Sequence, residues 1–131
     1  MTSPKKKKIL LADDDASMRR FLEIVLQKAN YEVIAAEDGL SAMQIALATE
    51  IDVVVADAIM PNLTGYDLCR MLRANPDKKE IPLVILSGLE QKNNDDCLAD
   101  VYLVKSANLK EELLETLAGF FTAEAQRHRD F

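Results

Sequence analysis

Five short apolar runs, separated by longer amphipathic stretches, set the rhythm of the chain. They are KILLA ending at Ala12, EVIAA ending at Ala36, DVVVA ending at Ala56, PLVIL ending at Leu86 and VYLV ending at Val104. The middle runs are apolar at every position rather than at every second one, as expected of strands covered on both faces. Their alternation with helical stretches reads as repeated βα units around a central parallel sheet.

The intervening stretches follow helical spacing. Met18, Leu22, Val25, Leu26 and Ala29 recur at that interval and predict a helix from Ala16 to Ala29, capped by Asp15 and stopped by a left-handed Asn30. Asp38 is placed to cap a second helix carrying Leu40, Met43 and Leu47. A third, Thr64 to Arg73, turns Leu68 and either Met71 or Leu72 inward and stops at Asn75-Pro76. The last carries Leu109, Leu113, Leu117 and Phe120 on one stripe. Between the fourth and fifth runs, Glu90 to Asp96 reads EQKNNDD, so the fourth helix of the series is expected to be short or irregular. The fold class is therefore α/β, a doubly wound five-stranded parallel sheet with helices on both faces.

Composition narrows the class. A chain of 131 residues, 49% hydrophobic and 29% charged, suffices for one core. VVVA and LVIL are far shorter than the roughly 20 apolar residues a membrane span needs, so no membrane insertion is expected. The N-terminal order lacks the pattern of a secretory signal. Cys69 and Cys97 stand 28 residues apart without a CxxC pairing, and His128 is the one histidine. A disulfide framework and a Cys/His zinc site are thereby disfavoured, and a reducing, cytoplasmic location is expected. The net charge of −6 argues against direct nucleic-acid binding. Lys5 to Lys8 read as a solvated basic block.

Right-handed crossovers bring the C-terminal ends of all parallel strands to one edge of the sheet. Asp13, Asp14 and Asp15 follow the first run, Asp57 the third, Ser87 the fourth and Lys105 the fifth, while the second ends in Ala35-Ala36. Asp15 is assigned to capping. Apposed Asp13, Asp14 and Asp57 must share protons, raise a pKa or bind a cation. With only oxygen ligands, Mg²⁺ suits them better than zinc. A metal with open positions beside a lysine and a hydroxyl is arranged for a phosphoryl group, with Asp57 as the nucleophile.

ILLADDD followed by ASMRR, then VVVADAIMPNLTGYDL, VILSG and YLVK, resemble the receiver domain of two-component response regulators from Lys7 to Phe121. The resemblance implies a flavodoxin-like strand order 2-1-3-4-5 and a division into a basic arm (1–6), the receiver (7–121) and a helix extension or linker start (122–131). It makes Asp57 the phosphoacceptor and Asp13 and Asp14 the acidic pair. Ile59 would give a backbone carbonyl to Mg²⁺, Ser87 would be the switch hydroxyl, Lys105 the invariant lysine and Tyr102 the aromatic that rotates inward. Pro61 and Gly65 shape the loop after Asp57.

Three departures accompany the match. Ser106 stands where a proline usually follows the lysine in a cis peptide, and Leu98 where a glycine usually precedes the last strand. The interval from Ser87 to Lys105 is 18 residues, about four short of the family's, close to one helical turn.

The resemblance implies a phosphorylation switch that catalyses only its own phosphoryl transfer and loss. A sensor histidine kinase or phosphotransfer protein would be the donor, and a protein partner or further output domain the receiver of the signal. A phosphorylation-linked dimer is compatible with this. The alternatives are a pseudo-receiver that binds partners constitutively, favoured by Ser106 and the short fourth helix, and a flavodoxin-like electron carrier. ADDDASM would repel the phosphate of FMN, which counts against the carrier.

Overall fold

Alternation along each strand sorts its side chains into two layers, one for each face of the sheet. The computed structural model describes residues 5–88 and 98–129, with side chains of the last helix described through Thr122. Its strands are β1 (Lys8–Ala12), β2 (Glu32–Ala36), β3 (Val53–Asp57), β4 (Leu83–Ser87) and β5 (Val101–Val104). All are parallel, in the order β2-β1-β3-β4-β5. Four helices lie among the described residues: α1 (Ala16–Lys28), α2 (Gly39–Ala48), α3 (Gly65–Ala74) and α4 (Leu109–Arg129). None is long and apolar enough to cross a membrane.

On one face Ile9, Leu11, Val53, Val55, Val84 and Leu86 pack with Leu22 and Leu26 of α1 and Leu109, Leu113 and Leu117 of α4. On the other, Leu10, Ala12, Val54, Ala56, Leu83 and Ile85 pack with Ala42, Met43 and Ala46 of α2 and Leu68, Cys69 and Leu72 of α3. β3 and β4 are buried at every position, which explains their continuous apolar sequence. The edge strand β5 is only half-buried and ends in an exposed Val104.

Local signals set the helix ends. The Asp15 carboxylate accepts from the Ser17 and Met18 N–H groups, and Asn30 is left-handed (φ 75°) after α1. Asp38 caps α2 through the Ser41 N–H. Thr64 and Asp67 form a reciprocal capping box at the start of α3.

Two local readings are resolved. In α3 the inward residue is Leu72, and Met71 is exposed. In α2, of the three large apolar residues Leu40, Met43 and Leu47, Met43 faces inward with Gly39, Ala42 and Ala46, while Leu40 and Leu47 are about half exposed. The cause is close approach, since a Cβ on Gly39 would collide with the backbone and Cβ of Leu63. A face of small residues admits that proximity where leucines would not. The Glu90–Asp96 segment, with its expected short helix, lies outside the described residues.

Candidate functional site

The parallel topology delivers the strand ends to one edge, as the sequence requires. Asp57 and Ser87 are the last residues of β3 and β4 rather than the first beyond them, a one-residue extension of each strand. Asp13 immediately follows β1, and Lys105 immediately follows β5.

One carboxylate oxygen from each of Asp13, Asp14 and Asp57 falls within a 4.8 Å cluster. Asp13 is wholly buried, Asp57 is 8% exposed, and Asp14 stands at the solvent rim. The Asp13 carboxylate accepts from the Asp15 N–H at 2.9 Å. The Lys105 ammonium bridges the two buried acids, 3.3 Å from Asp13 Oδ2 and 3.1 Å from Asp57 Oδ2. No cis peptide occurs among the described residues, so Lys105 reaches both acids from a trans bond to Ser106.

Burial pushes the Asp57 carboxyl above the usual aspartate range, and the Asp13 charge adds to that push; hydrogen bonds from Lys105 and the Ile59 N–H oppose it without cancelling it. Burial would lower the Lys105 ammonium, but Asp13 and Asp57 outweigh it and hold its pKa above the ordinary lysine value. The result is an anionic pocket that Lys105 partly neutralises.

The donor set fits a small hard cation. Three carboxylates offer oxygen only, with no imidazole or thiolate among the described residues of the cluster. Ile59 lies beside it, its N–H on the Asp57 carboxylate and its side chain 55% exposed. Ser87 is buried, and its carbonyl accepts the Lys105 N–H at 2.8 Å. Tyr102 pairs in register with Ile85 and packs, half-buried, on the α2–α3 face.

The support is close-fitting. The Gly65 N–H bonds the Ala58 carbonyl at 3.0 Å, and a Cβ at Gly65 would collide with the Asp57 carbonyl. Gly65 therefore lets α3 start directly beneath Asp57.

With this arrangement in place, the response regulator receiver domain profile matches residues 9–118. The chain belongs to that family. The receiver is 40% identical over 110 residues to a probable transcriptional regulator ycf27 of Cyanophora paradoxa, covering 81% of this chain and 45% of the relative. It thus spans about half the length of the curated relatives it matches. Among solved structures it resembles the chemotaxis regulator CheY4 of Vibrio cholerae, with TM-score 0.78 and 33% identity over 87% of this chain and 98% of that one. It also resembles the response regulator TrrA of Thermotoga maritima, solved with Mg²⁺ and BeF, with TM-score 0.79 and 31% identity over 86% and 97% of the two chains. The flavodoxin-like strand order is that of these receivers.

Two functional supports escaped the sequence reading. Arg19 Nη1 donates to the Asp13 carbonyl at 2.8 Å and so fixes the acidic turn from within α1. Gly39 docks α2 on Leu63 of the loop after Asp57. A guanidinium gripping a backbone carbonyl leaves no trace in spacing, but a glycine opening a helix behind a good N-cap is a visible sign of close approach.

Proposed function

We propose that this receiver is a cytoplasmic phosphorylation switch in which Asp57 takes a phosphoryl group from phosphohistidine of a sensor histidine kinase or phosphotransfer protein. An Asp57 carboxylate oxygen attacks phosphorus, the P–N bond breaks, and the imidazole leaves with its electron pair and takes a proton from solvent. The observation that carries this reading is the Lys105 ammonium bridging Asp13 and Asp57 beside an exposed Asp14.

Asp13, Asp14, Asp57 and the Ile59 carbonyl would hold Mg²⁺, which supplies charge neutralisation for the incoming phosphoryl oxygens. The chain's own residues do the rest. Lys105 balances negative charge, and the buried Ser87 hydroxyl offers a hydrogen bond. Ser87 and Tyr102 convert occupancy of Asp57 into a change of surface, biasing two states separated by a few kcal/mol. The signal passes to a protein partner, to a phosphorylation-linked dimer or to an output domain in the remainder of a longer regulator, without direct nucleic-acid contact by this chain. The constitutive alternative loses one of its two supports, because Ser106 does not keep Lys105 from the acids.

Beryllofluoride, an analogue of the phosphoryl group, tests the assignment by ¹⁹F NMR. A bound signal that requires both Mg²⁺ and Asp57 is expected. A signal that persists in Asp57→Asn, or forms without a divalent ion, contradicts it.

A further inference from the structure

Lys105 sits at the far end of the most weakly held strand, and something must fix where that strand begins. β5 is an edge strand of four residues, paired on one side only, half-buried over its first three residues and exposed at Val104. Its approach is strained, because Leu98 is left-handed (φ 66°) while the residue is 70% exposed.

Arg73, in the last turn of α3, grips this approach. Its Nε donates to the Leu98 carbonyl at 3.0 Å and its Nη2 to Asp100 Oδ2 at 2.8 Å. Its Nη1 is shared between the Lys79 and Ile81 carbonyls at 2.9 and 2.8 Å, so the guanidinium is anchored in the loop before β4 as well. Asp100 Oδ2 also accepts the Leu83 N–H at 2.8 Å, while the Asp100 N–H donates to the Leu83 carbonyl at 2.9 Å. This reciprocal pair sets β5 on the first residue of β4.

We propose that Arg73 is a positioning residue for Lys105, a clamp that holds β5 in register. The two ends of α3 then close a frame. Gly65 seats its start against the Asp57 backbone, Arg73 ties its end to Asp100, and β5 runs roughly 17 Å from Asp100 to Lys105, which returns to Asp57. A one-residue slip of β5 would exchange its faces, moving Tyr102 away from the α2–α3 side and shifting Lys105 along the edge. The functional half of this inference rests on Asp57 being the phosphoacceptor; the structural half does not.

The experiment compares native protein with Arg73→Lys, which keeps one charge for Asp100 but loses the carbonyl grips, and with Asp100→Asn as a second route. Amide hydrogen exchange is read at Asp100 and Lys105, whose N–H groups bond Leu83 and Ser87, against Leu10 and Val54 in the core. Exchange roughly tenfold faster at these two positions flanking β5, without a matching change in the core, is expected. Uniform acceleration, or none, overturns the clamp. Phosphorylation by acetyl phosphate is then followed in a cycle with Lys105→Met. Arg73→Lys should slow the reaction in the native background and have no further effect once Lys105 is gone. Equal slowing in both backgrounds, or none in either, overturns the positioning role even where the exchange result holds. Failure of native protein to take up phosphoryl contradicts the phosphoacceptor assignment instead, and the exchange result still decides the clamp.

Discussion

Lys105 Nζ, on the residue directly after β5, lies 3.1 Å from Asp57 Oδ2 although serine rather than proline follows it. The same ammonium also meets Asp13, so it joins two of the three carboxylates of the pocket. Replacing it removes that counter-charge from the phosphoryl site and from the two buried acids. Lys105→Met is expected to slow phosphorylation of Asp57 by on the order of 10²-fold, the usual effect of removing one preorganised charge donor. Timed intact-mass measurements at fixed acetyl phosphate check this.

The raised Asp57 pKa has a signed consequence for stability. A group whose folded pKa exceeds its unfolded value binds its proton more readily in the folded state. Its favourable contribution is present below the ordinary aspartate range and lost as pH rises through the folded value. Ionised Asp57 is thus a destabilising element at neutral pH without metal. Asp57→Asn should raise the Tm in EDTA at pH 7 by a few degrees, each kcal/mol being worth roughly 3–5 °C at this length. The gain should shrink to nothing below about pH 4. Thermal melts across pH read both.

Mg²⁺ should relieve the same repulsion. At a hundredfold excess over its dissociation constant it is expected to stabilise the native protein by about 2.7 kcal/mol, and Asp57→Asn or Asp13→Asn much less. Denaturant titrations with and without Mg²⁺ measure the difference.

Leu98 stands in a conformation that glycine adopts freely. The left-handed backbone costs roughly 1–2 kcal/mol for an ordinary residue, while glycine adds about 0.4–1 kcal/mol of unfolded-state entropy. Leu98→Gly should therefore stabilise the protein by roughly 0.5–1 kcal/mol, read from the urea midpoint. A loss of stability would show that the exposed leucine packs in solution.

Gly65 has the opposite sign. An added methyl would meet the Asp57 carbonyl, so Gly65→Ala must push α3 or the end of β3 aside. A cost of about 1–3 kcal/mol and weakened Mg²⁺ binding are expected, measured by urea unfolding and by calorimetric titration.

Much of this was legible because parallel strands impose a simple rule. Apolar runs marked the strands, and the residues at their C-terminal ends, Asp13, Asp57, Ser87 and Lys105, had to share one edge. The caps Asp15 and Asp38 and the left-handed Asn30 were equally local signals. What stayed hidden depends on tertiary approach. The buried face of α2 was not marked by its leucines, because Gly39 docks against Leu63 too closely for a side chain and Ala42, Met43 and Ala46 share its face. Arg19 and Arg73 act on backbone carbonyls of other segments, and no residue pattern announces such partners. The missing glycine at Leu98 was visible, but its cost and its guanidinium restraint were not.

The central claim, that Asp57 accepts phosphoryl in a metal-dependent site, is tested most directly by intact mass after incubation with acetyl phosphate and Mg²⁺. The native protein should gain the mass of one phosphoryl group, and Asp57→Asn or EDTA should abolish the gain. An unshifted native mass, or a shift that survives Asp57→Asn, would contradict it.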